Sequence, residues 1–224
     1  MIRTFLKIAY LLFFISGMCV AQTPNSWRGL GAFPDWPFPY NRHEHAAIAL
    51  NGKFYVIGGR GNKPVQVYDP QQNSWQDQAE PPLEMHHFQL VSVNGLIYVV
   101  GGFTGNFPHE TPLSHVYVYD PLANSWQQGP AIPAGRRRGS AGAVVYNDKI
   151  YVISGIVDGH SSGWVTYTDV FDPATGSWTP LADAPRARDH FHAALVGQKI
   201  YVAGGRRSGA DGTFNATVAE VDVY

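Results

Sequence analysis

Histidine, carboxylate and arginine side chains return at one fixed place along this chain, and that recurrence is its first chemical clue. Aligned on the glycine-rich doublet that follows each, four segments hold Arg42, Glu44 and Ala46; Met85, His87 and Gln89; Arg138, Ser140 and Gly142; and Arg188, His190 and His192. Side chains of an extended segment alternate between two faces, so each trio is expected on one face of a strand. Glu44 and His190 form the candidate proton-transfer pair, because a carboxylate and an imidazole can trade a proton near neutral pH. His87, Gln89, Ser140 and His192, with Arg42 and Arg188, are candidate ligand-binding residues.

Other positions add to this set. Arg136-Arg137-Arg138 is a compact cationic run between glycines. Guanidinium forks grip carboxylates with two parallel hydrogen bonds, so an acidic sugar or a peptide carboxylate suits them; the plainer alternative is a solvated turn paired with nearby acids. Long loops are expected at 103–114, holding His109 and Glu110, at 156–164, holding Asp158, His160 and Trp164, and at 206–214, holding Arg206, Arg207 and Asp211. Trp164 reads equally as a sugar-stacking surface or as a loop anchor. The pairs His43/His45 and His190/His192 each put two imidazoles on one strand face, where they could hold a metal. The two pairs fall in opposite alternate sets, and no cysteine or carboxylate completes either by spacing, so neither a metal nor another cofactor is expected.

These residues belong to a unit of about 50 residues that recurs along the chain. Asn-Ser-Trp or Gly-Ser-Trp ends at Trp27, Trp75, Trp126 and Trp178. Apolar runs close at Gly58-Gly59, Gly101-Gly102, Ser154-Gly155 and Gly204-Gly205, and an aromatic-Asp-Pro turn falls at 68–70, 119–121 and 171–173. Asn51-Gly52 and Asn94-Gly95 are hairpin turns, since both residue types accept positive φ. Each unit therefore reads as four short strands, too small to bury its apolar face without a neighbour.

This order of markers, from Asn25 to Tyr224, resembles the kelch repeat. The resemblance implies an all-β fold, a kelch β-propeller of four-stranded antiparallel blades. An outer strand is expected at 25–34, blades at about 41–80, 85–131 and 136–181, and an incomplete blade at 186–224. About four blades are visible; either the strand at Trp27 closes the last blade of a four-bladed ring or, the favoured expectation, the chain is part of a six- or seven-bladed ring. The first strand of a blade is innermost, so the recurring trios are expected to face the channel mouth. Arginine at the first place belongs to the general kelch pattern, which also gives Arg42, Arg138 and Arg188 a structural role. Mammalian kelch adaptor domains often use the second place to bind peptides, which implies a carbohydrate or protein ligand at this mouth. Resemblance to the bacterial sialic acid epimerases offers an enzyme acting on an acidic sugar as the alternative. Galactose oxidase also carries kelch-type blades, but its copper chemistry needs a cysteine cross-linked to tyrosine. Cys19 is the sole cysteine here and lies in an expected leader. Binding module and enzyme both stay open.

A net charge of -1 and a pI near 6.7 give no reason to expect nucleic acid as a partner. Arg3 and Lys7, an apolar run over 8–18 and the small residues before position 22 read as a signal peptide over 1–21, cleaved after Ala21. The expected mature chain, 22–224, is secreted or periplasmic and has no membrane partner after cleavage.

Overall fold

The computed structural model describes Ser26 and residues 39–224. The expected leader and, but for Ser26, the expected outer strand lie outside the described residues. The unit from Asp35 to Tyr224 is all-β, a propeller of four antiparallel blades.

Blade one contains β1 (His45–Leu50), β2 (Lys53–Gly58), β3 (Gln66–Asp69) and β4 (Ser74–Asp77), hydrogen-bonded in that order. Blade two contains β5 (Gln89–Val93) and β6 (Leu96–Val100). A two-stranded ribbon, β7 (Phe103–Thr104) with β8 (Thr111–Pro112), then precedes β9 (His115–Asp120) and β10 (Ser125–Ala131). Blade three repeats the plan with β11 (Gly142–Tyr146), β12 (Lys149–Ile153), the ribbon β13 (Ile156–Asp158) and β14 (Ser162–Trp164), β15 (Thr168–Asp172) and β16 (Ser177–Pro180). The fourth sheet has three strands, β17 (Ala193–Val196), β18 (Lys199–Val202) and β19 (Asp222–Val223).

The repeat markers have clear structural duties. Asp69 accepts hydrogen bonds from the amides of Gln71 and Gln72, Asp120 from Leu122 and Ala123, and Asp172 from Ala174. A short carboxylate that binds its own backbone two or three residues on turns the chain from strand three to strand four. Trp75, Trp126 and Trp178 lean on Tyr68, Tyr119 and Phe171 across that turn, with ring centroids 5.3, 5.2 and 5.0 Å apart. Among the described residues, buried side chains form three clusters, one between each pair of successive blades. Ile57, Met85, Ile97 and Tyr117 join blades one and two, Val100, Ala143, Val152 and Phe171 join two and three, and Val144, Phe191 and Val202 join three and four. No blade closes its own core, which is why the unit must recur.

Candidate functional site

The four residues at the second place of the recurring trios occupy the same unusual conformation. Glu44, His87, Ser140 and His190 have φ of 61°, 55°, 51° and 53°, the left-handed region that L-residues rarely adopt. Each sits just before its blade's first strand, so the period-two alternation expected of them does not run through that point. The kink turns their backbone toward the neighbouring blades. The His87 amide donates to the Glu44 carbonyl at 3.0 Å, Ser140 to His87 at 2.8 Å, and His190 to Ser140 at 3.2 Å. Backbone strain of this kind is retained where surrounding contacts enforce it. Here it stitches blade to blade while holding four side chains at one opening.

The arginines counted from sequence among ligand groups are seated elsewhere. Arg138 and Arg188 are buried inside their blades: Arg138 donates to Ser154 O at 2.6 Å, Val152 O at 2.9 Å and Asp169 at 2.8 Å, and Arg188 to Gly204 O at 2.8 Å and Asp222 at 2.6 Å. Arg42, half-buried, donates to Gly58 O at 2.8 Å and to Pro64 O. Arg136 pairs with Asp169 at 2.9 Å and lies 3.8 Å over the Tyr167 ring, and Arg137 donates to Ile132 O at 3.2 Å. The cationic run is thus spent on blade three itself, because Asp169 and the carbonyls at the end of β12 lie within its reach. Gln89, two residues past the kink, points along the inner strands: its amide oxygen accepts from Ala143 N and Ala193 N at 3.0 and 2.9 Å, tying blades two, three and four together.

At the opening lies a cavity of about 570 Å³ lined by Glu44, His87, Ser140, His160, His190, His192 and Arg206 among others. Three imidazoles from three blades meet there. The rings of His87, His160 and His190 lie 4.6 to 4.9 Å apart, and His160 Nε2 is 3.0 Å from His190 Nε2. His160 stands at the tip of the β13–β14 ribbon, and two glycines let that tip dock. A Cβ at Gly159 would come within 1.9 Å of Glu110 Oε2, and one at Gly209 within 2.4 Å of Ser161 O. The tip is held between the loops of blades two and four by backbone approach that any side chain would block.

Carboxylates surround these rings. His160 Nδ1 is 3.0 Å from Glu110, and His190 Nδ1 is in contact with Asp189, which also accepts from Ser208 N at 2.9 Å and Ser208 Oγ at 2.6 Å. His87 Nε2 lies 3.4 Å from Glu44 Oε1. Arg60 ties the cluster together, pairing with both Glu44 and Glu110 and donating to Gly105 O at 2.7 Å. Burial, with His190, His86 and His160 close by, pushes the His87 imidazole down to about 2. Burial lowers His160 as well, against the pull of Glu110. Glu110 would rise by burial, but hydrogen bonds from Arg60 and His160 hold its carboxyl below the usual range.

Of the sequence-predicted residues, the structure therefore gathers Glu44, His87, Ser140, His160, His190 and His192 at the cavity, with His45 and Arg206 beside them, and sets Arg42, Gln89, Arg136, Arg137, Arg138 and Arg188 within or between blades. The two members of the proposed proton-transfer pair both line the cavity, yet the carboxylate in contact with His190 is Asp189. Asp189 and Arg60 escaped sequence reasoning. Arg60 could have been found, since it follows its doublet as Arg206 follows Gly204-Gly205. Trp164 donates its indole N–H to Ser208 O at 2.8 Å and so anchors the β13–β14 ribbon to the loop of blade four. Phe107 and Phe214 instead form the exposed aromatic rim, their rings 5.2 and 5.7 Å from that of His160. Arg206 lies 4.5 Å over the Phe214 ring.

Blades stitched at a common left-handed residue, three of them with an arginine reaching the strand-two doublet, define a propeller of the kelch class. The chain belongs to the kelch-repeat family: the model of the KLHDC2/KLHL20/DRC7 Kelch-repeats domain matches residues 44–222. It is 30% identical over 200 residues to Kelch-like protein terF of Aspergillus terreus, covering 83% of this chain and 44% of that protein. It is 29% identical over 201 residues to beta-scruin of Limulus polyphemus, covering 83% and 21%. It is 30% identical over 182 residues to Kelch-like protein 25 of Xenopus tropicalis, covering 77% and 30%. The chain spans less than half the length of these relatives. The solved structure of YjhT shares the fold, with a TM-score of 0.66 at 19% identity over 75% of this chain and 59% of that one.

Proposed function

We propose that this protein is an exported binding propeller whose mouth receives an acidic segment of another protein. Kelch propellers are typically protein-binding modules, and the leader-like residues 1–21 support export. The observation that carries the ligand's charge is Arg206. It lines the cavity, is flanked by Phe214, and among the described residues has no carboxylate partner. An uncompensated guanidinium beside exposed aromatic rings suits a carboxylate followed by an apolar side chain. Ser140 adds to this reading: its buried hydroxyl lines the cavity with no hydrogen-bond partner among the described residues, so a ligand polar group placed there would relieve a cost of about 1–3 kcal/mol.

Selection of a displayed peptide library on the immobilised full-length protein tests this directly. Enrichment of acidic peptides whose affinity falls at least about tenfold in Arg206→Ala is the expected result. Equal binding by Arg206→Ala and the parent would remove the mouth from the proposal.

The Asp189–His190 contact favours one second reading, an epimerase-like enzyme acting on an acidic sugar. A carboxylate that orients an imidazole is the usual support for proton transfer. NMR of anomer ratios with sialic acid and neutral reducing sugars decides it: catalysed exchange that disappears in His190→Gln supports the enzyme, and unchanged exchange rates dismiss it.

A further inference from the structure

The hydrogen bonds around the three imidazoles fix which nitrogen of each ring carries its proton. His86 Nε2 lies 3.1 Å from Gly105 O, a carbonyl that can only accept, so this nitrogen holds the proton. Arg60 Nη1, 3.3 Å from the same nitrogen, has its closer partner in Gly105 O itself. His86 Nδ1 is then bare and accepts from His87 Nδ1–H at 2.7 Å. That leaves His87 Nε2 bare. His160 donates Nδ1–H to Glu110, and His190 donates Nδ1–H to Asp189. Their Nε2 atoms are bare too, yet they face each other at 3.0 Å, while the His87 Nε2 faces Glu44 Oε1 at 3.4 Å. Lone pairs this close repel unless a cation lies between them.

We propose that His87, His160 and His190 bind one divalent transition-metal ion of the zinc class through their Nε2 atoms, with a further coordination position open to the mouth cavity. The ligand atoms of the three residues all lie within 4.8 Å of one another. Zinc bonds to imidazole of about 2.0–2.1 Å in tetrahedral geometry require nitrogens about 3.3 Å apart. The His160–His190 pair is already near that spacing, and a ligand atom of His87 lies within 4.8 Å of both. The outer shell matches as well. Metal-binding histidines almost always give their second N–H to a carboxylate, carbonyl or similar acceptor, and Asp189, Glu110 and His86 supply all three acceptors here. Asp189 and Glu110 are buried, so their charge is aimed at the rings and not lost to solvent. Neutral imidazoles with an open position suit zinc, cobalt, nickel or copper and not magnesium or calcium, which prefer oxygen. No peptide or sugar enters this inference, and an ion on His190 Nε2 takes the atom that the epimerase-like reading needs for proton transfer, so the two compete for one nitrogen.

Calorimetric titration of chelator-treated full-length protein with zinc alone, paired with cobalt titration followed by visible absorption, tests the site. One saturable equivalent is expected. His160→Gln and His190→Gln should each weaken binding at least about 100-fold, and Asp189→Asn 10- to 100-fold. His43→Gln, at an exposed position, should bind as the parent does. Because His160→Gln could disturb the ribbon, His160→Cys provides the second arm: it should keep one equivalent and add a thiolate-to-cobalt charge-transfer band. Lack of zinc uptake by the parent, or uptake that the His160 and His190 variants leave unchanged, would overturn the proposal and assign the 3.0 Å contact to a shared proton.

Discussion

Blade two already contains the apolar version of a charge pair that blade three keeps buried, and this makes a quantitative prediction. In the strand register, Tyr117 faces Val99 as Asp169 faces Val152 and Asp222 faces Val202. Where the acid is present, Arg138 or Arg188 supplies its partner; where tyrosine replaces it, the arginine position is Met85, and Met85 and Tyr117 share one apolar cluster. In Asp169→Asn, Arg138 keeps its carbonyl partners but loses its counter-charge at 2% exposure. Breaking one side of a buried pair costs about 3–5 kcal/mol. Arg136, half-buried over Tyr167, can turn to water and adds little to that cost. The double variant Arg138→Met with Asp169→Tyr removes both charges and should fall within about 1.5 kcal/mol of the parent, since buried pairs are often replaceable by packed apolar groups. Urea unfolding of the full chain reads both. With a slope of about 2 kcal/mol per molar urea, Asp169→Asn should lower the midpoint by about 2 M, and the double variant should recover most of it. A single-variant loss below about 1 kcal/mol, or a double variant as unstable as the sum of its singles, would refute the reasoning.

Two further predictions follow from the mouth. Gly159→Ala should cost about 1–3 kcal/mol, because its φ of 45° and the Glu110 contact both exclude a Cβ, and the broken ribbon should also move the His160 ring resonances in an NMR spectrum. In chelator-treated protein, stability should fall as pH drops below about 6.5, since His87 titrates from 6.5 in the unfolded chain to about 2 in the fold and the unfolded state alone takes up that proton. The slope from one such group is at most about 1.4 kcal/mol per pH unit, read from urea midpoints between pH 7 and 5, and His87→Gln should flatten it; an unchanged slope would contradict the assigned burial.

The repeat markers made the blades legible because each performs a local task. An aspartate that binds its own turn, a glycine before a tight approach and a tryptophan across a hairpin act within a few residues, and sequence distance captures that. The site was half legible. Glu44, His87, Ser140 and His190 were found by recurrence, although alternation fails at the left-handed kink: at the third place Gln89 is drawn to the amides of Ala143 and Ala193, while His192 lines the cavity. The imidazole triad was invisible to spacing because His160 arrives on a ribbon from a different blade and meets His87 only through tertiary docking. The arginine run misled for a related cause: its neutralising partner, Asp169, lies 31 residues beyond Arg138 in sequence and beside it in space. The matched loss of Arg at Met85 and Asp at Tyr117 was available in the sequence, once the units were laid over each other.

The hydrogen bonds from Glu44 to His87, Ser140 and His190 are made by main-chain atoms, so they make no use of the side chain at each position, provided that it accepts the left-handed backbone. Fold and mouth chemistry are consequently separable: residues that accept the left-handed backbone can be exchanged there without removing these links. The same independence makes these four places natural grafting points for an engineer, with hydroxyl, acid or imidazole exchanged singly on an unaltered frame.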